Sequence, residues 1–121
     1  MTKPVRIATY REFWPFYLRQ HANPETRIWH IVGTGTASVL LIAALIAFSY
    51  ELLFGAVIAG YGPAWLAHFL IEKNRPATFR YPFWSLMSDY RMAGAWLTGE
   101  LAPELQKAGI ANGEPPEITP R

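Results

Sequence analysis

No cysteine occurs in the chain, which excludes disulfides, thiolate metal sites and iron–sulfur clusters. Charge is scarce too: 17% of the residues are charged, and the formal net charge is only +2. So small an excess, with no basic cluster interleaved with aromatics, excludes nucleic acid as a partner. No signal-peptide core or small-residue cleavage site follows Met1-Thr2-Lys3-Pro4-Val5-Arg6, so no cleaved leader is expected. The most informative absence is local. Between Arg27 and Lys73 there is no Lys or Arg, and the only carboxylates are Glu51 and Glu72.

That gap is filled by apolar sequence. The chain is 51% hydrophobic and 15% aromatic over 121 residues, and 121 residues make one domain at most. Residues 31–48 hold nothing more polar than Thr34, Thr36 and Ser38 apart from the turn at their end. Residues 52–71 are interrupted only by Gly55, Gly60, Gly62, Pro63 and His68. Each run is about long enough to cross a hydrocarbon core, with Ser49-Tyr50-Glu51 as the turn between them. The expected fold is all-α: an integral membrane helical hairpin with spans at about 24–48 and 52–72, flanked by interfacial helices at about 10–21 and 83–97. Residues 1–99 form the single membrane-embedded domain, and 100–121 a polar, largely disordered tail.

Orientation follows from the basic residues. Lys3, Arg6, Arg11, Arg19 and Arg27 precede the hairpin, and Lys73, Arg75, Arg80 and Arg91 follow it. The positive-inside rule then puts both termini in the cytoplasm, in a bacterial inner membrane or one of endoplasmic-reticulum type.

Local signals fit this outline. Thr9-Tyr10-Arg11-Glu12 has the form of a capping box, which starts a helix near Tyr10. Asn23 is a good N-cap, Pro24 suits the first helical position, and Glu25 complements the helix N-terminus. Gly33, Gly35 and Ala37 are small enough to let a second helix approach closely. Gly99 ends the last helical pattern.

The three histidines of the chain are His21, His30 and His68. In an antiparallel hairpin the start of the first span and the end of the second lie on one side of the membrane. Topology alone therefore brings His21, His30, His68 and Glu72 to one depth. His68 and Glu72 are four apart, so on an α-helix they share a face. Imidazoles with a carboxylate and open positions suit non-haem iron(II), Fe(2+), and zinc accepts the same ligands. The alternatives are a b-type haem held axially by His30 and His68, or a non-catalytic lipid-binding protein whose histidines never meet. A 2-hydroxy carboxylate can chelate a metal through both oxygens while its acyl chain lies between the spans. Arg27, Lys73 and Arg75 stand near enough to receive its charge, or serve only to set topology.

The string Phe16-Tyr17-Leu18-Arg19-Gln20-His21, His30 nine residues on, and His68-Phe69-Leu70-Ile71-Glu72-Lys73-Asn74-Arg75-Pro76-Ala77 carry a family resemblance. Over roughly residues 13–92 the chain resembles the family typified by the fungal endoplasmic-reticulum 2-hydroxy fatty acid dioxygenase of phytosphingosine breakdown. The resemblance implies a small membrane protein with iron(II)-dependent oxygenase activity, removing one carbon from a 2-hydroxy fatty acid. By motif it implies that His21, His30, His68 and Glu72 are the functional positions. The fungal branch has a second histidine directly after the first, where this chain has Ala22.

Overall fold

The computed structural model describes residues 6–110. Five α-helices follow one another among them, and none of the described residues is in a strand. Helix α1 covers Tyr10–Arg19, and the Thr9 hydroxyl accepts the Glu12 N–H at its start. Helix α2, Pro24–Ala47, opens on Asn23, whose side chain accepts the Glu25 N–H. Both starts are where the capping residues put them, because each supplies an acceptor to an otherwise orphaned donor.

Phe48 takes the left-handed conformation with φ 51° and turns the chain. Ser49 then caps α3, Tyr50–Ala67, by accepting from the Leu52 N–H. The helix does not stop at Ala67. It widens into a π-helical turn over His68–Glu72, which ends where Lys73 adopts φ 58°. Counted together, the helices Pro24–Ala47 and Tyr50–Glu72 are each long and apolar enough to cross a membrane.

The two spans touch through small residues. A Cβ on Gly33 would stand 3.0 Å from the Ala59 carbonyl oxygen, and one on Gly60 would stand 3.2 Å from the Ala37 Cβ. A side chain at Gly33 would crowd the facing carbonyl, so the backbones meet there closely. The outer faces carry large apolar side chains that no other element covers, such as Val39, Leu45, Ile46 and Phe54.

After a 3₁₀ turn at Ala77–Phe79, α4 covers Pro82–Thr98 and α5 covers Leu101–Lys107. Gly99, at φ 77°, ends α4 as expected, because the left-handed cap costs glycine no Cβ clash. Helices α1, α4 and α5 enclose an aromatic core of Phe13, Trp14, Tyr17, Tyr81 and Met92. Phe13 is fully buried, with its ring centroid 5.2 Å from Tyr81 and 5.5 Å from Trp84.

One boundary moves. The ordered body does not end at 99, because Leu101, Ala108 and Ile110 are buried in that same core and Trp14 Nε1–H donates to Glu104 at 3.1 Å. The apolar residues are too few to show as a helical period, yet each meets an aromatic ring already in place. The rest of the expected tail, 111–121, lies outside the described residues.

Candidate metal centre

The first span, the end of the second and the corner before α2 converge at one point. His21 follows α1, His30 sits two turns into α2, and His68 opens the π turn. All three are buried, and one ring nitrogen of each lies within 4.8 Å of the others. The Nε2 of His68 is 3.1 Å from that of His21 and 3.2 Å from that of His30.

The outward-facing nitrogens decide what the inward-facing ones are. His21 Nδ1 meets the Tyr17 carbonyl oxygen at 2.6 Å, and His68 Nδ1 meets Asn74 Oδ1 at 2.7 Å. His30 Nδ1 meets Asp89 Oδ1 at 3.3 Å. Carbonyl and carboxylate oxygens only accept, so each Nδ1 carries the proton and donates it. In the neutral tautomer so fixed, each Nε2 is a bare lone pair. Three lone pairs then point at one another in a buried space with no proton between them. Such an arrangement repels itself unless a cation sits at the focus.

The spacing suits one. With metal–nitrogen bonds of 2.0–2.1 Å, neighbouring imidazole nitrogens stand ~3.0 Å apart in octahedral and ~3.4 Å apart in tetrahedral coordination. The cavity among the rings is about 10 Å³, room for an ion at their focus. The residues present therefore fit a single metal ion. They do not fit haem: axial nitrogens 3.2 Å apart leave no gap for a macrocycle between them, and the cavity is far too small.

Several supports hold the rings. Asn74 is doubly anchored, with its backbone N–H on the His68 carbonyl at 3.0 Å and its side-chain N–H on the Gln20 carbonyl at 3.2 Å. It thus ties the π turn to the end of α1. Asp89 also accepts from the Tyr17 hydroxyl at 2.5 Å. Burial and the Asp89 charge push the Tyr17 hydroxyl well above its ordinary range, so it stays a donor. Burial, with help from the other two imidazoles, pushes His21 well below its ordinary range and keeps it neutral. That is the form a metal binds.

The remaining residues singled out in the sequence are placed elsewhere. Glu72 Oε2 accepts the Asn23 backbone N–H at 2.7 Å and touches none of the imidazoles. The cause is the π turn, whose i→i+5 pattern carries Glu72 off the face it would share with His68 in an α-helix. Arg27 is buried and donates to the carbonyls of His21 and Ala22, both at 2.8 Å. Through Nη1 it fixes the corner that carries His21. Lys73 and Arg75 are exposed.

Asn74 and Asp89 are the functional supports that the sequence did not single out. Asn74 was legible in part, lying six residues from His68 in the same string. Asp89 was not, since a lone carboxylate in an aromatic helix reads as an interfacial residue. Two polar groups lining the cavity have no partner among the described residues, the Trp65 indole N–H and the Ser85 hydroxyl.

No curated protein and no solved structure matches the chain. A family model described as 2-hydroxy-palmitic acid dioxygenase Mpo1-like matches residues 7–101. That span includes all three histidines, Asn74 and Asp89, and the chain belongs to the Mpo1-like family.

Proposed function

We propose that the protein is an iron(II)-dependent dioxygenase that shortens 2-hydroxy fatty acids by one carbon. The observation that carries the reading is the convergence of three imidazole Nε2 atoms, each on a ring whose Nδ1 faces an oxygen acceptor. The family description supplies the substrate class. A facial set of three protein ligands leaves coordination positions free, as non-haem oxygen chemistry requires.

The metal, when bound, supplies a Lewis-acidic centre at which a 2-hydroxy carboxylate and dioxygen come together. The overall conversion balances without an external reductant. A 2-hydroxy acid and dioxygen give an acid one carbon shorter, carbon dioxide and water. The two carbons lose four electrons, and dioxygen takes up four. The chain's own part is to hold the three imidazoles fixed through their Nδ1 partners, and to exclude bulk water by burying them. Asn74 and Asp89 set the tautomers of His68 and His30. The Trp65 N–H and Ser85 hydroxyl, unpaired beside the cavity, are the donors available to the substrate's carboxylate in place of Arg27, Lys73 and Arg75.

The two apolar helices support an integral membrane location, and the basic residues on either side of the gap support cytoplasmic termini. A reporter fused to the C-terminus reads that orientation. The decisive experiment is anaerobic reconstitution with iron(II) in detergent, followed by oxygen uptake with 2-hydroxypalmitic acid. One iron per chain and release of a one-carbon-shorter acid are expected, and His21→Ala, His30→Ala and His68→Ala each abolish both. Wild-type iron content in all three variants, or no iron in the reconstituted wild type, overturns the reading.

A further inference from the structure

A groove of about 290 Å³ runs along the hairpin beneath α4. Its walls are Ala37 and Leu41 of α2, Leu53 and Val57 of α3, and Leu86 and Tyr90 of α4. Leu41, Leu53, Val57, Leu86 and Tyr90 are all exposed, so the groove opens toward the side where lipid would lie. Its upper end reaches Gly60, Tyr61 and Asp89, and these same residues line the histidine cavity. Cavity and groove therefore adjoin, with Gly60, Tyr61 and Asp89 common to both. Gly60 lets α2 approach closely at this point, since a Cβ there would stand 3.2 Å from the Ala37 Cβ. The Tyr90 hydroxyl donates to Ser38 Oγ at 2.6 Å, while Ser38 itself donates to the Thr34 carbonyl at 2.8 Å. This bond pins α4 to α2 along the groove and holds it open at fixed width.

A second apolar groove of about 290 Å³ lies on the other face of α3, lined by Trp29, Pro63, Leu66, Ala67, Leu70 and Ile71. It shares no lining residue with the histidine cavity, whereas the α2–α3–α4 groove shares three. We infer that the α2–α3–α4 groove is the subsite for the substrate's single alkyl chain, entered sideways from the bilayer, with Val57 midway along it and Leu41 and Leu53 at its far end. This rests on the dioxygenase reading for the identity of the head group. About 16 Å of helix separates His30 from Leu41, so the groove grips the chain segment next to the reacting carbons and leaves the remainder in lipid. Asp89 at the junction is already engaged by Tyr17 and His30. The space left beside it, toward Tyr61, takes the polar end.

The test uses full-length protein in nanodiscs, kept anaerobic with iron(II) so that nothing turns over. Two photoreactive 2-hydroxypalmitic acids are compared, one with a diazirine mid-chain and one with it near the carboxyl end, and labelled residues are mapped by mass spectrometry. The mid-chain probe should label Leu41 or Leu53, and the head-end probe Tyr61 or Leu86, both competed by unlabelled 2-hydroxypalmitic acid. Labelling centred on Trp29, Leu66 and Leu70, or labelling that no competitor reduces, overturns the assignment. Val57→Trp, at a half-exposed position in the groove wall, plugs the groove midway. Each buried methylene is worth about fourfold in affinity, so displacing two or more should lower competition by 2-hydroxypalmitic acid by at least about tenfold. Competition by 2-hydroxybutyric acid, too short to reach Val57, should not change. An unchanged long-chain affinity in a folded Val57→Trp protein also overturns it. Turnover with labelling on the Trp29 face removes the groove and leaves the dioxygenase standing. Groove labelling without turnover in air keeps the groove and removes the oxygenase.

Discussion

The two halves of the molecule are held together by opposite means. In the hairpin, α2 and α3 meet through Gly33, Ala59, Gly60 and Ala37, and the large side chains point outward. Burial drives little there if lipid covers the outside, since a lipid tail solvates leucine as well as another leucine does. What remains is close backbone packing. In the cap formed by α1, α4 and α5 the large side chains point inward, with Phe13, Tyr17 and Met92 almost wholly buried. That is the arrangement of a protein packed in water. The histidines sit at the seam, two carried by the hairpin and one by the chain leaving the cap. The histidine cluster is then the joint between a half packed through small residues and a half packed around an aromatic core.

That contrast can be broken from either side. Phe13→Ala should have the largest effect on stability, about 3–5 kcal/mol, because a fully buried ring is removed from a packed core. Thermal unfolding in detergent reads it. The spans should stay helical by circular dichroism while the cap's near-ultraviolet signal falls. Loss of helicity throughout would show that the halves do not separate. At the seam, Asp89→Asn should lower iron affinity by about 10–100-fold with little change in melting, because it removes only the charge that orients His30. Iron titration with a competing chelator checks it.

In the hairpin, Gly33→Ala drives a Cβ against the Ala59 carbonyl, and should cost about 1–3 kcal/mol. The same loss should be smaller in a shorter-chain lipid that tolerates parted helices. The smallest effect is expected of Glu72→Gln. It exchanges a charged acceptor of the Asn23 N–H for a neutral one, a difference of about 1 kcal/mol, and should leave iron binding within a few-fold of wild type. A loss of iron there would return Glu72 to the ligand set.

Much of this arrangement was legible in the sequence, because the signals were strong and local. Asn23-Pro24-Glu25 start a helix wherever they stand, and a gap of 45 residues without Lys or Arg leaves few folds open. The three histidines could be brought together on topology alone. Glu72 could not be placed, since its direction depends on whether the last turn of the second span is α or π, and no residue type announces that choice. Asp89 and α5 were hidden for a related reason. Their partners, His30 and Tyr17 for one and Trp14 for the other, are 59 or more residues away in the chain, and long-range pairing leaves no periodic trace.

The π turn has a consequence for how this fold can change over time. Relative to a regular helix it accommodates an extra residue between Ala67 and Asn74. A relative shortened by one position there would keep both spans, the cap and an unaltered hydropathy profile. It would nonetheless carry His68 out of phase with Asn74, so that the imidazole loses its anchor and aims away from its two counterparts. A single-residue gap at that point in an alignment is thus a marker of retired chemistry, visible before any histidine has been lost.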